Sequence, residues 1–136
     1  MVDESTIKNA LVRVMEYGHF SIKQIKFDEI NFGNICIELV SSNHVELRFI
    51  RDKGTFWCEL GKNGEWYFIE DVFTLIGIDT PVKKDDEIVE FLMYMSNLIA
   101  NSITCIFSAF DEKKLNETKI RIKTIATERA ICNFKD

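Results

Sequence analysis

The chain has 136 residues, 46% of them hydrophobic and 29% charged, with one Pro, six Gly and a formal net charge of −5. That length and apolar share suit one globular domain over residues 1–136, and they exclude a linker-rich, fibrous or repeat-built chain. Eleven Phe, two Trp and three Tyr argue against disorder, and the acidic balance argues against non-specific nucleic-acid binding.

The opening residues, Met1 to Thr6, are acidic and polar. A secretory signal needs a basic start and an apolar run, so a cytoplasmic protein is expected. Residues 4–17 read as a helix. Ile7, Leu11 and Val14 (or Met15) share a face, Asp3 or Ser5 can cap the start, and Gly18 can close the end. Phe20 to Phe27 reads as a strand that stops before Asp28. Strict alternation follows in three runs: Ile35, Ile37 and Leu39 against Cys36, Glu38 and Val40; Val45, Leu47 and Phe49 against Glu46, Arg48 and Ile50; Phe56, Cys58 and Leu60 against Thr55, Trp57 and Glu59. Ser41–His44 and Asp52–Gly54 separate these runs, and a strand from Glu65 to Phe68 follows a four-residue turn at Gly61–Gly64. Short turns join antiparallel neighbours, so a four- to five-stranded meander is expected.

After Phe68 the period lengthens. Ile69, Val72, Phe73 and Ile76 fit a short helix that Gly77 ends, and Asp79-Thr80-Pro81 is a break. From Phe91 to Phe110 twenty residues carry no charge, the length of a membrane-spanning helix. Six of them are polar, however. Asn97, Asn101, Thr104 and Ser108 line one face, opposite a stripe of Ile88, Leu92, Met95, Ile99, Ile103 (or Ser102), Ile106 and Phe110. A long amphipathic core helix makes that pattern, and no membrane span is expected. In the tail, Ile120 and Ile122 alternate with Arg121 and Lys123, but Leu115, Thr118, Ile122, Ile125 and Ala126 favour a helix, which is the reading taken. The fold class is α+β: an N-terminal helix, an antiparallel meander, then a short helix, a long helix and a C-terminal helix packed on the sheet.

Motifs for chemistry are sparse. The sequence has no nucleophile elbow, His-Glu-x-x-His run, phosphate-cradling glycine loop or dinucleotide fingerprint. The two histidines, His19 and His44, fall at a helix end and in a turn. No enzymatic activity, metal or cofactor is expected. Cys36, Cys58, Cys105 and Cys132 form no close pair and read as ordinary, mostly buried thiols. Asp85, Asp86, Glu87 and Glu90 lack the glycine-turned loop of a hard-cation site and read as an acidic start to the long helix. Residues 113–136 carry seven Lys or Arg against three acids, net +4, leaving −9 over residues 1–112. Without an aromatic platform such a tail reads as pairing with its own acidic body, not as a nucleic-acid binder.

The sheet's second face is more informative. The four-residue turn would set Leu60 opposite Glu65, Glu59 opposite Trp66 and Trp57 opposite Phe68. Trp57, Glu59, Trp66 and Phe68 then share a face with Glu38 and Arg48, while Phe56, Cys58, Leu60 and Tyr67 take the other. Both faces are apolar enough to want cover, and helices over both are the expected packing. Left bare, Trp57 and Trp66 form an aromatic patch among acids, a combination that suits a basic protein surface. Glu59 to Glu90 holds nine acids against three lysines, net −6. The candidate partner-binding residues are Trp57, Glu59, Glu65, Trp66, Glu70, Asp71, Asp85 and Asp86.

Phe32-Gly33-Asn34, the run from Leu47 to Gly54, Glu65-Trp66-Tyr67 and Glu70-Asp71-Val72 resemble a family of small, mostly uncharacterised bacterial proteins. Some of its members look like immunity proteins encoded beside secreted or contact-dependent toxins. The likeness covers residues 30–78 and rests on turn glycines and packing aromatics, so it bears on fold more than chemistry and supplies no catalytic residue. The resemblance implies a small cytoplasmic binder that neutralises a cognate toxin by occluding its active site. The residues leave open a second class: a secretion or chaperone-like adaptor, or a self-assembling module such as a homodimer. There the uncharged helix face from Asn97 to Ser108 would meet another subunit.

Overall fold

A computed structural model of the chain describes residues 3–28, 33–79 and 87–134. Its start is two short helices where one was expected, α1 (Glu4–Ala10) and α2 (Val12–Gly18). The break has a visible cause: the Val14 N–H donates to Ser96 Oγ at 3.1 Å, so a side chain from another helix interrupts the ladder. Of the two capping candidates Asp3 is the one used, its carboxylate accepting from the Thr6 N–H at 2.8 Å and the Thr6 hydroxyl at 2.7 Å. At the far end His19 (φ 53°), not Gly18, takes the left-handed position. Gly18 is needed for space, because a Cβ there would lie 2.4 Å from the Phe20 ring.

Five antiparallel strands follow in sequence order: β1 (Phe20–Asp28), β2 (Asn34–Ser41), β3 (Val45–Asp52), β4 (Thr55–Lys62) and β5 (Glu65–Phe68). β1 includes Asp28, which pairs with Asn34, and its register shifts between Ile22 and Gln24. The β4–β5 turn has two residues, Asn63 (φ 53°) and Gly64 (φ 81°), the positive-φ pair that matches strand twist. It sets Lys62 opposite Glu65, Gly61 opposite Trp66, Leu60 opposite Tyr67 and Glu59 opposite Phe68. The expected pairing of Leu60 with Glu65 is therefore displaced by two residues. An even displacement keeps each side chain on its own face, so the face assignment survives the wrong register.

The remaining elements are helical: α3 (Ile69–Leu75), α4 (Ile88–Asn101), α5 (Ile103–Ala109) and α6 (Leu115–Phe134). α3 ends in paired bonds, Ile78 N–H to the Phe73 carbonyl at 2.8 Å and Gly77 N–H to that of Thr74 at 3.2 Å. Gly77 holds φ 80° there, a glycine-closed helix end. The expected long helix is α4 and α5, bent by 69° at Ser102, whose hydroxyl donates to the Leu98 carbonyl at 3.0 Å. Ser102 also takes the place in the buried stripe that Ile103 could have held. Among the described residues no single helix is long and apolar enough to cross a membrane, although the bent pair passes by length and composition. The tail is helical over Leu115–Phe134, with Leu115, Thr118 and Ile122 buried.

The described helices pack on one face of the sheet only, which overturns the expectation of cover on both. On that face Ile37, Leu39, Leu47, Phe49, Cys58 and Leu60 are all 0% exposed. The ring contacts Phe20–Phe107, Phe56–Phe91 and Tyr67–Phe110 tie α5, α4 and the α5–α6 corner to it. The other face carries Glu38, Glu46, Arg48 and Glu59, charges that are costly to bury under a helix.

Candidate functional site

The uncovered face is built as three rows running across the strands. Lys26, Cys36, Ile50 and Trp57 form the first; Gln24, Glu38, Arg48, Glu59 and Phe68 the second; Ser21, Val40, Glu46, Gly61 and Trp66 the third. The middle row is an electrostatic clamp. Arg48 donates through Nε at 2.8 Å and Nη2 at 2.6 Å to Glu59 Oε1, and its guanidinium lies 3.8 Å from the centroid of the Trp66 ring. Cation–π and ion-pair contacts thus hold one side chain between two strands. Gly61 makes this possible: a Cβ there would lie 2.9 Å from the Trp66 ring, so the indole rests directly over the backbone opposite it.

Two of the three carboxylates in these rows are paired with cations beside them. Glu46 accepts from Lys23 Nζ at 2.6 Å, which raises the Lys23 pKa, and Glu59 is bound to Arg48. Phe68 remains 44% exposed, and its ring carries Arg129 of α6 at 5.2 Å on the rim. Trp57, Trp66, Ile50 and Val40 are half-buried. Beside Trp57 an open groove of ≈ 420 Å³ is lined by Lys26, Cys36, Ile50 and Arg51 among others. Burial pushes the Cys36 thiol up, which keeps it protonated. The face therefore combines half-buried aromatic area with a hydrogen-bonded polar centre.

Three of the eight candidate residues, Trp57, Glu59 and Trp66, lie on this face. Glu65 and Asp71 engage the helical side instead. Glu65 accepts from the Tyr67 hydroxyl at 2.8 Å and lies 3.4 Å from Lys119 Nζ. Those two partners, Tyr67 first, hold its carboxyl below the usual range, while burial and then Glu65 push the Tyr67 hydroxyl well up. Asp71 is 3% exposed and receives Arg129 Nε at 2.9 Å and Nη2 at 3.0 Å. Glu70 is exposed on the first turn of α3. Asp85 and Asp86 lie outside the described residues, and Glu87 and Glu90 open α4 as N-cap and first-turn residues.

The thiols differ from expectation. All four are free and Cys58 is buried, but Cys105 and Cys132 are exposed and Cys36 is only half-buried, because Cys105 and Cys132 fall on the outer sides of α5 and α6. Both histidines are exposed in left-handed backbone. Among the described residues no three His, Cys, Asp or Glu side chains gather as a metal site. Reading the sequence missed two residues that organise the face, Arg48 as a clamp and Gly61 as a platform. The Asn63-Gly64 dipeptide was the available signal: read as a two-residue turn, it returns Gly61 to the strand. No family model, curated protein or solved structure matches the chain.

Proposed function

We propose that this chain is a non-enzymatic, cytoplasmic protein-binding domain, most concretely an immunity protein that neutralises a cognate bacterial toxin by occluding its active site. The observation that carries this reading is the bare sheet face, where Trp57, Trp66 and Phe68 flank the Arg48–Glu59 clamp and no described helix packs across it. Rigid aromatics beside a satisfied polar centre suit a surface that gains by being covered. The resemblance over residues 30–78 supports the immunity class. The charge of −9 over residues 1–112 favours a cationic target site and a steered encounter. Anchoring and steering are divided in this reading. The locally balanced face anchors, and acids elsewhere, Glu70, Asp85 and Asp86 among them, attract.

The test is co-expression with the protein encoded next to it. Expected are rescue of growth from that protein's toxicity and a stoichiometric complex whose association slows at high salt. Trp57→Ala with Trp66→Ala should abolish both while the circular dichroism spectrum stays native. Charge reversal at Asp85 and Asp86 should slow association; unchanged kinetics remove them from the steering set. Neutralisation that survives loss of both tryptophans overturns the sheet face as the anchor. A chain recovered alone as a stable dimer points instead to the self-assembling module.

A further inference from the structure

A second concave surface lies on the helical side of the molecule, across the sheet from the aromatic face. Leu75 and Ile76 at the end of α3, Thr104 and Ser108 of α5, and Lys114 and Arg121 beside and within α6 line an open groove of ≈ 390 Å³. That is within the range of small-molecule sites. A spacing of seven residues sets Lys114 and Arg121 on one side of the first two turns of α6. Both are exposed and, like Lys26, Lys53, Lys113 and Lys123, are left out of the carboxylate pairs among the described residues. Lys8, Lys23, Arg48, Lys119 and Arg129 each meet a carboxylate, whereas Lys114 and Arg121 meet none among the described residues. The hydroxyls of Thr104 and Ser108 likewise have no partner among the described residues. Thr118 in the same groove differs, its hydroxyl donating to the Ala109 carbonyl.

Two cations and two hydroxyls thus line one hollow that has no carboxylate in its wall, next to an apolar side. We propose that this groove binds a small organic oxyanion, a phosphate monoester or a carboxylate, whose apolar body rests on Leu75 and Ile76. Arg121 offers a planar fork for two oxygens and Lys114 a mobile point charge. Thr104 and Ser108 donate to the remaining oxygens. The site shares no residue with the sheet face, so it stands or falls independently of the toxin-binding reading.

The test is a titration of the full-length, ¹⁵N-labelled protein with phenyl phosphate, benzoate and inorganic phosphate, followed by amide shifts. Saturable shifts confined to residues 104–109 and 114–121 are expected, with phenyl phosphate or benzoate tighter than inorganic phosphate. The tighter of the two organic probes names the headgroup. Arg121→Gln and Lys114→Gln, both at exposed positions, should each weaken binding about tenfold while the rest of the spectrum stays unchanged. Absence of saturable shifts at millimolar probe, shifts centred elsewhere, or affinity untouched by Arg121→Gln overturns the site. Equal affinity for inorganic phosphate overturns the role given to Leu75 and Ile76.

Discussion

The two faces of this sheet are written in alternate residues of the same strands, yet they are held by different physics. Phe49 and Ile50 are neighbours in β3; Phe49 is wholly enclosed beneath the helices and Ile50 is half-buried on the bare side. The covered face is fixed by removal of apolar surface from water, which scales with area and is unforgiving of lost volume. The bare face is ordered by pairs, Arg48 with Glu59 and Trp66, and Lys23 with Glu46, each of which contributes little to folding in contact with solvent. Under the proposed function, stability and partner recognition are therefore separable by one residue step along a strand.

The sharpest way to break that contrast is to truncate both neighbours. Phe49→Ala should lower the unfolding free energy by about 4 kcal/mol, read from urea denaturation. Ile50→Ala should cost less than about 1 kcal/mol, in keeping with a surface position. A loss at Ile50 equal to that at Phe49 would mean the second face is covered in solution. The ion pairs give a second contrast. Arg129→Met leaves the buried Asp71 carboxylate without its partner and should cost about 2 kcal/mol, less than a fully enclosed pair because Arg129 reaches solvent. Asp71→Leu combined with Arg129→Met should recover most of that loss, since the penalty belongs to the orphaned charge. Arg48→Met on the bare face should cost about 1 kcal/mol or less, and its larger effect should fall on the partner complex.

Periodicity carried most of the fold. Period-two runs specify β2, β3 and β4 because each must bury one side, and the helical stripe from Ile88 to Phe110 is correct to the residue once Ser102 is taken at its alternative place. The two broken helices were not legible, because both breaks come from serine hydroxyls: Ser96, distant in sequence, accepting from Val14, and Ser102 bonding back to Leu98. Of the candidate site, membership of the face was readable and its organisation was not. Glu59 and Trp66 were placed as neighbours, whereas each actually meets Arg48. Acidic composition also misled in a definite way. Asp71 is buried in its contact with α6, while Glu65 reaches the same helix at Lys119 and stays exposed, and composition does not distinguish a carboxylate that faces solvent from one that holds a helix.

Gly61→Ala tests the platform beneath Trp66. The new methyl would collide with the indole, so the ring must lift and release Arg48. A loss of about 1 kcal/mol is expected, with a red-shifted tryptophan emission and weakened partner binding. An unchanged emission spectrum would show that the indole does not rest on the strand.

The smallest effect expected is a pH dependence set by one hydrogen bond on the covered side. The Glu65 carboxyl titrates below its usual range in the folded protein, so the stability it contributes is present above the unfolded value of about 4.5 and is lost as pH falls through the folded one. Tyr67 is shifted upward by burial and by Glu65. Its contribution is complete below the unfolded value of about 10 and is lost as pH rises toward the folded one. One hydrogen bond thus produces an acid slope and an alkaline slope, with a plateau between them. Tyr67→Phe should shrink both slopes, leaving on the acid side the part due to Lys119 and on the alkaline side the parts due to Lys23 and the thiols, as read from urea midpoints across the pH range. Trp57→Ala, on the opposite face and remote from this pair in register, should leave both slopes as they are. If Trp57→Ala flattens either slope, the two faces are electrostatically coupled through the sheet, and the separation of folding from recognition fails at its weakest point.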